Sequence, residues 1–169
     1  DPASDLPAVL LALDAEIVAR SKRGEHVYAA DGFFTGAFTT ALAEDELVTE
    51  IRLPGPSDHP GSAFVSLSQR ASGYSIVGVA AVVFKEGGSA ITRAGIALTG
   101  VADAPYRARA VEAVLIGNEG TAESIAAAAA HATDGMTVHG DIHADREYRT
   151  AMAVTYTKRA IAAALERLG

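Results

Sequence analysis

A polar loop at residues 69–74 runs directly into a stretch of small and β-branched apolar residues, Ser75 to Lys85. This stretch has no helical periodicity and is bounded by turn residues, which indicates a strand that is buried on both of its faces. Gly78, Ala80 and Ala81 have small side chains and allow a neighbouring element to pack closely. The residues that follow are expected to cover this strand, whereas the residues before residue 55 have the pattern of a separate unit.

The first part of the chain alternates between short apolar and polar segments. Residues 6–13 predict a short helix that begins at Ser4 or Asp5. Residues 15–19 and 26–29 flank a loop with a glycine and predict a hairpin. The alternation within residues 47–53 predicts a half-buried strand. The proline- and glycine-rich segment 54–61 then ends regular structure and predicts a domain boundary, with one domain at 1–56 and the next at 57–169.

Strand patterns give way to helix patterns after this boundary. Three strands are predicted at residues 62–69, 75–85 and 90–99, with the glycines of a tight hairpin between the second and the third. Three helices are predicted at residues 106–116, 121–132 and 145–168. Gly117 provides a left-handed stop for the first, and Thr121 an N-cap for the second. This order predicts an α+β fold, in which a three-stranded antiparallel sheet is covered on one face by three helices.

Composition narrows the class of protein. The chain has 169 residues, and its apolar fraction of 49% and mean hydropathy of +0.18 predict a folded core, one that is rich in alanine and poor in large aromatic side chains. The formal net charge of −7, with no basic cluster longer than Lys22–Arg23, argues against a nucleic-acid partner. No apolar run approaches the roughly 20 residues of a membrane span.

The absence of cysteine excludes disulfides, thiolate zinc sites and iron–sulfur clusters ligated by this chain. We therefore expect a reducing, cytoplasmic location. The chain begins at Asp1 without a methionine, and we interpret it as a fragment of a longer polypeptide.

Two polar clusters have ordinary explanations. In an extended segment, His139, Asp141 and His143 would point to one side and could bind a metal, but no fourth ligand is evident and solvated loop histidines are the simpler interpretation. Asp141 could instead help to cap the last helix. The acidic run 44–46 at a strand entrance is interpreted as a solvated charge run rather than as an acid–base pair.

Three residues are the better candidates for ligand contacts. Tyr74 stands at the entrance of the buried strand, where it could pack in the fold or stack on a planar ligand. Arg70 could pair with a carboxylate or bring positive charge near a reduced cofactor. Asp5 could cap its helix or accept hydrogen bonds from a ligand.

A family resemblance accompanies these patterns. The sequences at residues 1–8, 33–42 and 46–54 resemble the FAD-binding medium subunit of carbon monoxide dehydrogenase-type enzymes, which belong to the xanthine dehydrogenase (molybdenum hydroxylase) family. The sequences at residues 70–81, 100–108 and 147–153 continue the resemblance in the same order. It covers essentially the whole chain, and no single motif accounts for it.

The resemblance implies that residues 1–56 are the end of a FAD-binding domain and that residues 57–169 are the C-terminal domain of the medium subunit. It further implies that FAD in this subunit receives electrons from 2Fe–2S clusters in a small partner subunit. The molybdenum cofactor that oxidises the substrate would lie in a large partner subunit. An alternative is a docking domain that holds no cofactor by itself.

The same resemblance suggests particular cofactor-binding residues. Asp5 matches the FAD-contacting aspartate of the family, Val48 an apolar flavin contact, and Tyr74 the aromatic residue beside the isoalloxazine ring. Ser68 stands where many members carry a lysine near the flavin, so that charge is missing, and Arg70 is a possible substitute.

The family's two glycine-rich pyrophosphate loops would lie upstream of Asp1, so the upstream part of the FAD-binding domain is an expected partner. The resemblance does not specify the substrate or the electron acceptor.

Overall fold

Two small antiparallel sheets and one helix form the first part of the chain. The structure, a computed structural model, describes residues 1–55 and 60–168. The elements of the first part are α1 (Asp5–Ala12), β1 (Glu16–Ser21), β2 (Gly24–Ala29), β3 (Phe34–Gly36), β4 (Thr39–Thr40) and β5 (Leu47–Arg52). One sheet has the order β2-β1-β5, and the other consists of β3 and β4. The predicted helix and hairpin are confirmed.

Strand β5 differs from its predicted half-buried state. Its apolar side chains are exposed, with Leu47 at 74% and Ile51 at 48%. The strand pairs only with β1 and forms an edge of its sheet. The alternation of apolar and polar residues is present, but none of the described residues covers the apolar face. The prediction of half burial was wrong because burial depends on a second layer, which a strand pattern does not supply.

The second sheet contains the strand predicted to be buried on both faces. Its strands are β6 (Gly61–Ser68), β7 (Ser75–Phe84), β8 (Arg93–Thr99) and β9 (Tyr106–Arg107), paired antiparallel in the order β6-β7-β8-β9. Nearly every residue of β7 is buried, as predicted. The predicted boundary at residues 54–61 includes residues 56–59, which lie outside the described residues, and the division into two domains stays a prediction.

Strand β9 occupies residues that were expected to begin a helix. Tyr106 pairs with Leu98 and Arg107 pairs with Ala97, so the helix α2 spans only Arg109–Leu115. The Tyr106 hydroxyl donates a hydrogen bond to the Ala132 carbonyl at 2.9 Å. Pairing with the sheet and side-chain contacts thus overrides the local helical pattern at these two residues.

Helices α2, α3 (Ala122–Ala129) and α4 (Arg146–Leu165) cover one face of the second sheet, as predicted. Thr121 caps α3 by accepting a hydrogen bond from the Ser124 amide at 3.3 Å. The predicted left-handed stop after α2 is present at Gly117, with φ of +87°. The α+β fold is therefore confirmed, with β9 as a short fourth strand of the sheet.

The alternating side chains of β7 belong to two separate cores. Val77, Val79, Ala81 and Val83 face the helices α2 to α4. Ala80 and Val82 face the opposite side, where α1 and Phe33 cover them. Helix α1 therefore belongs to the first part of the chain but packs on the sheet of the second part.

Glycine permits the closest approach between helix and sheet. A Cβ atom added at Gly95 in β8 would lie 2.1 Å from the carbonyl oxygen of Ala12, the last residue of α1. A Cβ atom at Gly61 in β6 would lie 2.0 Å from the carbonyl oxygen of Ala164 in α4. Both neighbours are backbone atoms that cannot turn aside, so any side chain at these positions would push a helix away from the sheet.

We expect Gly95→Ala to lower the free energy of unfolding by about 3 kcal/mol, because α1 must move away from the sheet to admit the methyl group. Equilibrium urea unfolding would measure the change. The matched control is Gly88→Ala, since a Cβ atom there has nothing within 4 Å. An equal loss of stability in both variants would contradict the close packing of α1 on β8.

Candidate functional site

The beginning of α1 and the loop before β7 meet at the surface. Asp5 and Tyr74 line the same open cavity of about 260 Å³, together with Ala3, Ser4, Ser72 and Gly73. Tyr74 is 52% exposed, and Asp5 is exposed as well. The fold therefore brings together the carboxylate and the aromatic ring that were predicted as ligand contacts, although they lie far apart in the chain.

Residues at the end of β8 bind the backbone of the residues that precede α1. The buried Thr99 hydroxyl lies 2.9 Å from the Pro2 carbonyl oxygen and 2.8 Å from that of Ser4. The Gly100 amide donates to the same Pro2 carbonyl at 2.8 Å. Ser4 occupies the N-cap position of α1, but no side chain caps the helix there. The Asp5 carboxylate accepts a hydrogen bond from the Ser75 hydroxyl at 2.6 Å instead.

Hydrogen bonds within the 69–74 loop hold its conformation. The backbone N–H of Gln69 donates to the backbone carbonyl of Tyr74 at 2.8 Å, and the backbone N–H of Gly73 donates to the backbone carbonyl of Gln69 at 2.8 Å. The Gln69 side-chain oxygen accepts from the Ser72 amide at 2.6 Å and from the Ser72 hydroxyl at 2.9 Å. Gly73 has φ of +79°, a conformation that a glycine adopts without strain. Tyr74 thus projects from a defined turn.

The other predicted cofactor contacts do not line this cavity. Val48 lies on β5 in the first sheet and is 45% exposed. Ser68 ends β6, where its hydroxyl lies 3.3 Å from that of Ser66. Arg70 is exposed and has no hydrogen bond or ion pair with any residue in the described ranges. Of the five predicted cofactor contacts, Asp5 and Tyr74 therefore share a cavity. The roles of Val48, Ser68 and Arg70 stay predictions.

A second cavity of about 310 Å³ shares Ala3, Ser72 and Tyr74 with the first and includes the histidines considered for metal binding. His139 Nε2 lies 3.1 Å from a carboxylate oxygen of Asp103. Asp141 is occupied by other partners, because its carboxylate accepts from the amides of His143 and Ala144 at 2.8 and 3.0 Å. Within residues 1–55 and 60–168, no group of three or more acidic, histidine or cysteine side chains is arranged to hold a metal ion.

Arg149 connects α4 to this region. Its guanidinium is buried and donates to the carbonyl oxygens of Ile76 and Gly100, each at 2.6 Å, and to the Asp141 carboxylate at 2.5 Å. Burial acts to raise the pKa of Asp141, but the hydrogen bonds from the two amides and from Arg149 outweigh it and hold that pKa below its ordinary value. Asp145, and not Asp141, caps α4.

The acidic run at residues 44–46 is only partly a solvated charge run. Asp45 pairs with Arg23 at the surface, but the Glu46 side chain is only 6% exposed. Glu46 accepts from the Tyr28 hydroxyl at 2.6 Å and from the Ala43 amide at 2.9 Å, which lowers its pKa. For Glu46 the solvated interpretation was wrong, because β2 brings an aromatic hydroxyl to the carboxylate. These contacts hold the 43–46 turn against β2.

Residues 62–164 match the family described as CO dehydrogenase flavoprotein C-terminal domain, and residues 1–56 match the FAD binding domain in molybdopterin dehydrogenase. The chain belongs to the CO dehydrogenase flavoprotein family. The resemblance drawn from the sequence is thereby confirmed.

Relatives match over nearly the whole chain. The carbon monoxide dehydrogenase medium chain of Hydrogenophaga pseudoflava is 35% identical over 166 residues, which are 98% of this chain and 58% of the relative. The caffeine dehydrogenase subunit beta of Pseudomonas sp. (strain CBB1) is 38% identical over 168 residues, 99% of this chain and 57% of the relative. The chain thus spans a little more than half the length of these relatives.

A solved structure shows the same fold. It is the carbon monoxide dehydrogenase from Hydrogenophaga pseudoflava that lacks the Mo-pyranopterin moiety of the molybdenum cofactor. The TM-score is 0.94 at 37% identity, and the match covers 100% of this chain and 58% of the other. Among the residues that the structure describes, no helix is both long and apolar enough to span a membrane.

The sequence patterns did not identify the polar residues that hold α1 and α4 against the second sheet. Ser75 begins β7 and Thr99 ends β8, both of them apolar strands. A polar residue at the end of a buried strand was the one signal that could have identified them. Arg149 lies within residues 147–153, which the resemblance included, but the helical pattern gave no reason to expect its burial. Each makes contacts over dozens of residues in sequence, which a local pattern does not reveal.

We expect Arg149→Met to lower the free energy of unfolding by about 3 kcal/mol, because buried carbonyl oxygens and the Asp141 carboxylate lose their donor. The matched control is Arg146→Met, an exposed arginine of the same helix, with a change within about 0.5 kcal/mol. Urea unfolding would measure both.

The loss should also depend on pH. The folded pKa of Asp141 lies below its ordinary value of 3.8, so its carboxylate contributes stability above that value and loses the contribution as the pH falls through the folded pKa. The difference between wild type and Arg149→Met should therefore shrink in acid. A difference that stays constant with pH would show that the ion pair with Asp141 contributes nothing.

Proposed function

We propose that this chain is the C-terminal portion of an FAD-binding, electron-transferring medium subunit of a molybdenum-containing hydroxylase or dehydrogenase. In this proposal FAD accepts electrons from 2Fe–2S clusters in a small partner subunit and passes them to an acceptor. A large partner subunit carries the molybdenum cofactor. FAD supplies the redox chemistry, and the residues of this chain bind and orient it.

The observation that carries the proposal is the shared cavity of Asp5 and Tyr74 in a chain that belongs to this family over both matched segments. A half-exposed tyrosine on a fixed turn offers a flat surface for an aromatic ring system. The adjacent carboxylate offers hydrogen-bond acceptors to N–H or O–H donors. These residues fit one wall of a flavin site.

The same residues do not provide a site for the FAD phosphates. The sequence contains no Walker loop and no G-x-G-x-x-G motif, and α1 begins with Asp5, whose negative charge would repel a phosphate. We infer that the upstream part of the FAD-binding domain supplies the phosphate contacts. The exposed apolar side chains Leu47 and Ile51 on the edge strand β5 offer a surface for this part to pack against.

Association with metal-bearing subunits agrees with the composition of the chain. The chain has no cysteine, and hence no ligand for a 2Fe–2S cluster, so the clusters would have to be held by another polypeptide. The relatives named above are subunits or chains of dehydrogenases. A cytoplasmic location for the assembly stays a prediction.

A second candidate function is a docking domain that holds no cofactor by itself. The large exposed apolar residues favour it, since Phe38 is 80% and Ile142 95% exposed in addition to those of β5. Exposed apolar side chains of this size are typical of surfaces that contact another polypeptide. The two functions differ in whether Tyr74 contacts FAD.

We expect Tyr74→Ala to weaken FAD retention by about tenfold in the assembly that contains this chain, because the ring loses its stacking surface. Tyr74→Phe keeps the ring and should retain FAD. Native mass spectrometry of the purified assembly, with and without added FAD, would give the occupancy. The control is Tyr148→Ala, a similarly exposed tyrosine on α4.

The result also separates the two candidate functions. An assembly that holds FAD equally well with Tyr74 and with alanine would remove Tyr74 from the site. An assembly that contains this chain and its partners but no flavin mass would favour the docking domain.

A further inference from the structure

Ser75 connects the two residues of the proposed flavin wall. It is the first residue of β7, follows Tyr74 directly and is only 3% exposed. Its hydroxyl lies 2.6 Å from Oδ1 of Asp5, across 70 positions in the sequence. An ionised carboxylate has no proton to give, so the serine is the donor and the carboxylate is the acceptor.

The surroundings of Ser75 leave its hydroxyl little freedom. A Cβ atom added at Gly78 would lie 3.1 Å from Ser75 Oγ, so the space beside this oxygen is already narrow. A Cβ atom at Gly100 would lie 2.5 Å from the Ser75 carbonyl oxygen. The backbone and the side chain of Ser75 are thus both closely packed, and the contact with Asp5 is the hydrogen bond that its hydroxyl makes.

The hydrogen bond to Ser75 occupies only one oxygen of Asp5. Oδ2 has no hydrogen-bond partner in the part of the chain that the structure describes, and the Asp5 side chain is exposed beside Tyr74. The backbone of the same residue is restrained through the contact of Thr99 with the Ser4 carbonyl at 2.8 Å. One carboxylate oxygen is therefore held by the protein, and the other is available to a ligand.

We propose that Ser75 is a positioning residue that fixes the Asp5 carboxylate so that Oδ2 accepts a hydrogen bond from an N–H or O–H donor of FAD. This inference rests on the proposed function, since it names how that site is oriented. In this role Ser75 acts through Asp5, since Ser75 is only 3% exposed. A carboxylate that is already oriented loses less conformational freedom on binding, which strengthens the complex.

The test is a double-mutant cycle on FAD dissociation from the assembly that contains this chain. Ser75→Ala should raise the FAD dissociation constant about tenfold, and Asp5→Ala should raise it by at least as much. In the Asp5→Ala background, Ser75→Ala should have no further effect. Ser75→Cys keeps a side chain of similar length with a weak donor and should lose less affinity than Ser75→Ala.

A matched control comes from a second serine that donates to a carboxylate. The Ser89 hydroxyl lies 2.8 Å from a Glu119 oxygen, and neither residue lines a cavity with Tyr74. Ser89→Ala should leave FAD dissociation unchanged. A crystal structure of the Ser75→Ala assembly gives a readout independent of affinity and should show the Asp5 carboxylate rotated from its wild-type position.

Several outcomes would overturn the inference. An unchanged dissociation constant in Ser75→Ala, or an equal loss in both backgrounds, would show that Ser75 does not act through Asp5. Failure of the proposed function has a different signature, because Asp5→Ala and Tyr74→Ala would then both leave FAD dissociation unchanged. If Ser75→Ala does not fold, Ser75→Cys replaces it in the cycle and should give a partial loss, since a thiol is a weak donor.

Discussion

Burial of β7 on both faces is the constraint on which the remaining structure depends. A strand with valine and alanine on both sides must be covered twice, because either face left in water would forfeit the hydrophobic contribution of its side chains. The helices α2 to α4 cover one face. The other face is covered by α1 together with Phe33 and its neighbours, so a helix from the first part of the chain becomes part of the core of the second.

This arrangement places the candidate site at the end of the sheet. Helix α1 lies across β7 and β8, and its first turn reaches the end at which β7 begins and β8 ends. Ser75 and Thr99, one from each strand, bind Asp5 and the residues before it. The loop that carries Tyr74 leads into the same end of β7. The packing that buries the core therefore also brings the carboxylate and the aromatic ring together.

Local signals in the sequence were sufficient for much of the fold. Thr121 and Gly117 have effects confined to a few neighbouring residues, and the apolar run of β7 indicates its own burial. The tight hairpin predicted after β7 was wrong, because β7 ends at Phe84 and β8 begins only at Arg93. The failures share a different origin. Tyr106 and Arg107 became a strand through pairing with β8, and the Glu46 side chain is covered where it accepts a hydrogen bond from Tyr28. Asp5 was selected through a family resemblance, but its contact with Ser75 depends on the packing of α1, which no local pattern encodes.

The close contact between Gly95 and Ala12 has a consequence for how this protein can change over evolution. Helix α1 lies directly on the sheet at Ala12, its last residue, and Asp5 is at its opposite end. A larger side chain beneath its last turn would tilt the helix and displace the carboxylate at its first turn. The small residues under α1 therefore set the geometry of a distant surface site as well as the packing of the core. A substitution in this core would thus alter the surface cavity without changing any residue that lines it.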